Sequence, residues 1–222
     1  TDMDIKRSIR ASNYTFTRSS VAYKQDGTQV SANVPRFEDG KFGKAVLVEE
    51  GTTNLLANPS FENDFTGWTR SIYGDGQIVI DTSKIKYGSK SVKISCTTAN
   101  HNWVSRLYTT STHGTYTLSV DIYLESYTSG VIGAIIQANY SDGTKHFNRK
   151  DIDYTKLGQW QRISCSLTTD SSKTLSFLEL YVPWSNALNG VFYGDGVQLE
   201  LKPYATSFTD SIRSPESLTI PT

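Results

Sequence analysis

Apolar and polar residues alternate along most of this chain, and no segment repeats its apolar residues with the helical period. Alternation with a period of two is typical of a strand with one buried face. Each alternating run ends at Gly, Asn, Asp or Pro, which are residues that turns favour. The clearest predicted strands are Ser91–Thr97, Trp103–Thr109, Tyr116–Leu124, Val131–Tyr140, Trp160–Leu167, Leu175–Val182 and Val191–Glu200.

Turn signals between these strands indicate how the sheet is built. Ser141-Asp142-Gly143-Thr144 predicts a tight hairpin between two antiparallel strands. Many short strands without helices are typical of an antiparallel sandwich. The pattern therefore predicts an all-β fold, an antiparallel β-sandwich of the jelly-roll kind.

The two ends of the chain have a different pattern from the centre. Residues 1–53 contain a second probable hairpin around Gln25–Thr28, which predicts a β-rich N-terminal extension. Residues 54–210 would form the sandwich. Residues 211–222 are predicted to be a linker or the start of a following domain, because Ser214–Thr222 resembles the beginning of a strand. We therefore expect the chain to be part of a larger protein.

Composition narrows the possible partners. Lys and Arg together number 22, as do Asp and Glu, so a neutral chain has no electrostatic basis for binding a phosphate backbone. No apolar run approaches the roughly 18 residues that a membrane-spanning helix needs. Aromatic residues make up 12% of the chain, including 13 Tyr and 4 Trp, which suits sheet surfaces that carry flat rings.

Few residues suggest reactive chemistry. Cys96 and Cys165 alternate in phase with apolar neighbours, which leaves two alternatives open, buried free thiols or a cross-strand disulfide. The three His residues lack a zinc-site spacing, and no nucleophile motif is present.

The segment Asn54–Glu62 reads N-L-L-A-N-P-S-F-E and is followed by Gly67-Trp68. This opening resembles that of carbohydrate-binding modules related to families 4, 9, 16 and 22. The closing Gly196–Glu200 and Tyr204–Phe208 fit the same resemblance. Residues 13–53 resemble, more loosely, a leader of phage tail-associated proteins.

The resemblance implies a structural calcium ion that ties the first strand to the last. The matching ligands are the carboxylate of Glu62, a backbone carbonyl in the turn Gly88–Ser91 around Lys90, and the carboxylate of Asp195. Such hard oxygen ligands are those that Ca²⁺ prefers.

The resemblance also implies a glycan site on the concave face of one sheet. If Leu118, Val120 and Ile122 point inward, alternation turns their neighbours outward, and the same reasoning applies to the two other long strands. The expected ligand-binding residues are Asp121, Tyr123, Gln137, Asn139, Glu179 and Tyr181 in an outward row, with Trp103, Arg106 and Trp184 near strand ends.

Three functions follow as hypotheses. The first is a non-catalytic polysaccharide-binding module of a larger secreted or virion-tail protein, which would contact a polysaccharide or cell-surface glycan and neighbouring modules, without nucleic acid or membrane insertion. The second is a structural spacer of a tail fibre or surface protein that binds no glycan. The third is a jelly-roll glycanase or lyase, for which the sequence offers no facing carboxylate pair.

Overall fold

The computed structural model describes residues 14–40 and 43–220. Residues 1–13 and 41–42 of the predicted extension, and residues 221–222, lie outside the described residues. The chain divides into two compact units. Unit 1 comprises Thr1–Thr53 and Thr206–Thr222, and unit 2 comprises Asn54–Ala205.

Every regular element among the described residues is a β-strand, and none of them is a helix that could cross a membrane. In chain order the strands are β1 (Thr15–Thr17), β2 (Ala22–Tyr23), β3 (Gln29–Val30), β4 (Arg36–Gly40), β5 (Gly43–Leu47), β6 (Thr52–Thr53), β7 (Thr69–Ser71), β8 (Gln77–Asp81), β9 (Ser91–Thr109), β10 (Thr115–Tyr140), β11 (Lys145–Asp151), β12 (Trp160–Thr168), β13 (Leu175–Glu200), β14 (Ile212–Arg213) and β15 (Ser217–Thr219).

Unit 1 consists of short antiparallel pairs. The strands β2 and β3 form a hairpin around the turn at Gln25–Thr28, and β4 pairs with β5. The C-terminal strands β14 and β15 pair with β6 and β1. Residues 206–220 therefore belong to the same unit as the leader, whereas the sequence suggested a linker or a new domain at 211–222.

Ion pairs stabilise the interior of unit 1. The side chains of Arg18, Arg36 and Glu216 are fully buried. One oxygen of Glu216, Oε1, accepts hydrogen bonds from both arginines. Glu49 accepts hydrogen bonds from Arg36 and Arg213. Charges taken out of water in this way need such partners. This explains why a C-terminal strand far along the chain pairs with the leader.

Unit 2 is built around three long strands, β9, β10 and β13, which alternation alone divided into six. They bend part-way along their length while their backbone hydrogen bonds continue, with register shifts at the bends. The N-terminal halves of β9 and β10 and the C-terminal half of β13 form sheet A with the edge strands β8 and β12, in the order β12-β10-β13-β9-β8. The C-terminal halves of β9 and β10 and the N-terminal half of β13 form sheet B with the edge strands β11 and β7, in the order β11-β10-β13-β9-β7.

The apolar core of unit 2 confirms the predicted phase of the strands. Leu118, Val120 and Ile122 of sheet A are fully buried, as are Ile136 and Leu180 of sheet B. All five belong to one continuous apolar cluster. The antiparallel β-sandwich predicted from the alternation is confirmed. Cys96 and Cys165 are both buried free thiols within it.

Candidate functional site

The outer face of sheet B carries rows of side chains that point away from the core. Tyr181 of β13 lies opposite Ser105 of β9 and Ile135 of β10. Ile135 in turn lies opposite Arg149 of β11. Tyr181 and Ile135 each lie between two buried residues of their own strand, so the row crosses the sheet on its outer face. The next row contains Leu107, Glu179, Gln137 and Phe147.

Aromatic rings gather at one end of these rows. The rings of Trp103 and Tyr181 meet edge to face with centroids 6.0 Å apart. Tyr73, from the loop after β7, packs 5.5 Å from Trp103 and is 52% exposed. The guanidinium of Arg149 lies 5.5 Å from the centroid of the Trp184 ring. Aromatic packing of this kind fixes the rings while leaving apolar surface accessible.

Hydrogen-bonding groups lie beside the rings. The side-chain amide of Gln137 donates to Asn139 Oδ1 at 3.0 Å and to Glu179 Oε2 at 3.2 Å. Burial raises the pKa of Tyr181, and the hydrogen bond and negative charge of Glu179 raise it further. Asn139 Nδ2 is buried and has no hydrogen-bond partner among the described residues. Most of these polar groups are therefore held in place before any ligand arrives.

Five of the residues predicted from the sequence lie on this outer face of sheet B: Trp103, Gln137, Glu179, Tyr181 and Trp184. Asn139 shares their phase, but it is only 6% exposed, whereas the sequence placed it in solvent. It lies between Phe177 and Lys145 on the neighbouring strands.

Asp121 and Tyr123 do not join that face, so the single outward row predicted from alternation is wrong. Both belong to sheet A. Asp121 is 3% exposed and accepts hydrogen bonds from Arg162 at 2.6 Å and from the Tyr87 hydroxyl at 3.0 Å. The ring of Tyr123 packs 5.6 Å from that of Trp160. The cause is that residues 82–90 cover this part of sheet A, which alternation cannot reveal.

Arg106 also lies away from the face. It shares the inward phase of Val104. Its guanidinium lies 5.4 Å from the Trp68 ring centroid and donates to the carbonyl oxygen of Ala57 at 2.5 Å. Burial lowers the pKa of Arg106. Arg106 therefore supports the opening loop, whereas the sequence placed it among the expected ligand-binding residues.

The predicted calcium ligands lie at the two ends of one loop. Glu62 accepts hydrogen bonds from the backbone N–H groups of Ser89 and Lys90, at 2.7 and 3.0 Å. Asp195 accepts from the N–H groups of Lys86 and Tyr87, both at 2.8 Å. Burial raises the pKa of Asp195 to about 8, although these N–H groups oppose the shift.

These contacts form a loop clamp in which two carboxylates hold residues 86–90. Gly88 has a φ of 68°, and a Cβ there would lie 2.4 Å from Glu62 Oε1, so the clamp needs glycine. The side chain of Lys90 pairs with Asp64. Calcium takes six to eight oxygen ligands. Here N–H donors point at the carboxylates, and the described residues contain no group of three acidic, His or Cys side chains. The groups around these two carboxylates are N–H donors and not the further oxygen ligands that calcium needs, so they do not fit a calcium site. Calcium binding stays a prediction.

Sequence reasoning missed four residues of the outer face of sheet B: Tyr73, Leu107, Phe147 and Arg149. A signal existed for two of them. The turn at Asp142-Gly143 sets the register of the β10–β11 hairpin, which places Phe147 opposite Gln137 and Arg149 opposite Ile135. Tyr73 comes from a loop, and no local pattern predicts its position.

A β-sandwich with aromatic rings beside hydrogen-bonding groups on one outer sheet face is the arrangement expected of a carbohydrate-binding module. Residues 53–187 match the carbohydrate binding domain family (CBM_4_9), so the chain belongs to this family. Its domains are non-catalytic, which confirms the expectation that this chain is not an enzyme. No curated protein matches the chain by sequence.

Solved structures show the same fold. The chain is similar to the CBM22-1 xylan-binding domain of Paenibacillus barcinonensis Xyn10C (16% identity, 70% of this chain and 99% of that one, TM-score 0.51). It is also similar to a family 16 carbohydrate binding module (19% identity, 66% and 99%, TM-score 0.52). A third similarity is to the enzymatically active domain of bacteriophage CBA120 tailspike protein 4 (11% identity, TM-score 0.53), with 68% of this chain matching 22% of that one.

Proposed function

We propose that unit 2 binds a polysaccharide reversibly on the outer face of sheet B. The observation that carries the proposal is the edge-to-face pair of Trp103 and Tyr181 next to the hydrogen-bonded pair of Gln137 and Glu179. A sugar ring has an apolar C–H surface surrounded by hydroxyl groups. A protein surface that binds a sugar therefore needs apolar rings and hydrogen-bonding groups side by side, and few other ligands need both.

The rings would supply the stacking surface. Trp103 is held from two sides, by Tyr73 and by Tyr181, so little side-chain freedom is lost when a sugar packs on this cluster. Trp184, with Arg149 over its ring, would extend the surface towards β11. Phe147 is 60% exposed and would contact a longer chain.

The polar residues would fix the orientation of the sugar. Gln137 gives its amide N–H groups to Asn139 and Glu179, which leaves Gln137 Oε1 to accept a hydrogen bond from a hydroxyl group. Asn139 Nδ2 is buried and has no hydrogen-bond partner among the described residues, so Asn139 would orient Gln137 through its Oδ1 atom. Because these groups are already ordered, the entropy cost of binding is small.

The biological setting is part of the same proposal. A module of this kind would act outside the cell or on a virion, as one part of a larger protein with neighbouring modules. A single open face gives weak binding, and tandem copies would compensate through effective concentration. Xylan is a sensible first ligand, because two similar solved structures are xylan-binding domains.

The test is retention on affinity gels that contain xylan, β-glucan, mannan or chitin, followed by calorimetry with the polysaccharide that binds. We expect Trp103→Ala and Tyr181→Ala to weaken binding by more than about tenfold, a loss of about 1.4 kcal/mol or more. Tyr123→Ala is the matched control, because it removes the same ring from sheet A. Equal losses in Tyr123→Ala and Tyr181→Ala would contradict the proposed face.

The alternative function is a structural spacer. It is favoured by the similarity of this chain to a part, 22%, of a much longer tailspike chain. If the folded chain is retained neither on any of the polysaccharides nor on bacterial cell walls, the spacer is favoured.

A further inference from the structure

A cavity of about 390 Å³ opens where the three long strands of unit 2 bend. One row of residues crosses four strands at this point. Gln77 of β8 lies opposite Ser95 of β9, Ser95 lies opposite Val191 of β13, and Val191 lies opposite Ser126 of β10. All four line the cavity. Ser95 and Val191 alternate with buried core residues, so the row belongs to the outer surface of sheet A.

The bends create the space. The pairing of β10 with β13 shifts register between Leu124 and Ser126, and the pairing of β13 with β9 shifts between Leu188 and Gly190. Such bulges redirect side chains and interrupt the ladder. At the cavity wall a Cβ on Gly190 would lie 2.4 Å from the Ser126 carbonyl oxygen, so only glycine permits this approach of the strands.

The side chains around the cavity have unused hydrogen-bonding capacity. Gln77, Ser95, Ser126 and Asn189 form no side-chain hydrogen bond with any described residue. Their amide and hydroxyl groups offer both donors and acceptors. The other polar groups of the lining bond to one another, because the Asp75 carboxylate accepts from the Thr97 hydroxyl and the Cys96 thiol as well as from backbone N–H groups of β9.

The lining selects the chemistry of a ligand. No Lys, Arg or His side chain lines the cavity, so an anion finds no countercharge. The single carboxylate is surrounded by N–H and O–H donors, so a cation finds no set of free oxygens. Uncharged hydroxyl groups match the free amides and hydroxyls. The volume falls within the roughly 300–1,000 Å³ typical of small-ligand pockets.

We propose that this cavity is a second carbohydrate site, which takes one neutral sugar residue, such as a chain end or a free monosaccharide. Gln77 and Asn189 bind the sugar hydroxyl groups with their side-chain amides, and Ser95 and Ser126 complete the hydrogen bonds. The aromatic residues that define the outer face of sheet B do not line it, so hydrogen bonds dominate the binding. This site functions independently of the face on sheet B.

Nuclear magnetic resonance of the full chain tests the site directly, because the side-chain NH₂ groups of Gln77 and Asn189 give their own signals. Xylose, glucose, galactose, mannose and N-acetylglucosamine are titrated separately. We expect one of them to shift both signals with saturation, equally in the wild type and in Trp103→Ala. Ser126→Phe, which fills the cavity, should weaken that titration at least about tenfold. Ser164→Phe is the control, because Ser164 is exposed on the same sheet, lies opposite Ser119 and does not line the cavity.

Asn189→Ala provides a second test that leaves the cavity open, and it should weaken the Gln77 titration. The proposal is overturned if no sugar shifts these signals, if Trp103→Ala abolishes the shifts, or if Ser164→Phe has the effect of Ser126→Phe. Loss of polysaccharide retention together with intact shifts would reject the face on sheet B and keep this site. Retention without shifts would do the reverse.

Discussion

Replacement of Glu216 by Gln removes the negative charge that holds two buried arginines in unit 1. Glu216 Oε1 accepts hydrogen bonds from Arg18 Nη1 at 2.8 Å, and from Arg36 Nη2 at 2.8 Å and Nε at 3.1 Å. Its second oxygen accepts from the Glu49 backbone N–H at 2.8 Å. The variant keeps one acceptor oxygen of the same size and loses the charge, so the packing volume hardly changes.

The cost follows from the burial of the arginines. Breaking a buried ion pair leaves an uncompensated charge and costs about 3–5 kcal/mol. Two arginines share this carboxylate, so we expect a loss in that range even though a hydrogen-bond acceptor remains. For a unit of this size each kcal/mol lowers the melting temperature by about 4–8 °C, so the transition of unit 1 should fall by at least about 12 °C.

Two measurements separate the units. All four Trp residues lie in unit 2, so Trp fluorescence should report the same unfolding transition in Glu216→Gln and the wild type. Hydrogen exchange of peptides from residues 14–40 and 206–220 should increase strongly. Glu38→Gln is the control, because among the described residues this carboxylate accepts a hydrogen bond only from the backbone N–H of Gln25. A change in Glu216→Gln no larger than in Glu38→Gln would refute the reasoning.

Three further predictions concern pH, the loop clamp and the sheet face. Burial raises the pKa of Glu49, but the charge of Arg213 and further hydrogen bonds outweigh burial and leave the pKa lowered. The ionised Glu49 therefore stabilises unit 1 fully above the unfolded pKa of about 4.5, and this stabilisation is lost as pH falls through the folded pKa. The free energy of unfolding in urea, measured between pH 6 and 3, should depend less on pH in Glu49→Gln than in the wild type. Glu62→Gln should lower the free energy of unfolding by about 1–2 kcal/mol, a range that is reduced because Glu62 is partly exposed. The loss should be the same in the presence of calcium and in the presence of a chelator. Gln137→Leu should weaken polysaccharide binding about tenfold in calorimetry. The substitution removes Gln137 Oε1, which would accept a hydrogen bond from a sugar hydroxyl, and it removes the hydrogen bond that orients Glu179.

Each of these predictions has a contradicting result. If the free energy of unfolding falls equally between pH 6 and 3 in Glu49→Gln and in the wild type, the ionisation of Glu49 does not stabilise unit 1. A rise in the wild-type melting temperature on addition of calcium, absent in Glu62→Gln and Asp195→Asn, would support the predicted cation site against the clamp. Full binding by Gln137→Leu would place the polar contacts elsewhere on the sheet.

Period-two alternation was sufficient to predict seven segments of β9, β10, β12 and β13 and their inward residues, because burial on one face is a local property of a strand. It failed for Asp121, since it shows which residues share a face and not whether other segments cover that face. Arg106 was misplaced for a similar reason, because its long side chain reaches the Trp68 ring from an inward position. The register between strands, which brings Arg149 into the row of Tyr181, depends on pairings between segments distant in sequence.

The continuity of the long strands has a consequence for both candidate sites. The strands β9, β10 and β13 each contribute one residue to the cavity row and others to the face on sheet B, so a substitution at their bends changes the geometry of both. The edge strands differ, because β8 supplies Gln77 to the cavity and β11 supplies Arg149 to the face. Substitutions on β8 or β11 can therefore alter one site and leave the other intact. The edges are thus where two sugar specificities could be adjusted separately on one scaffold.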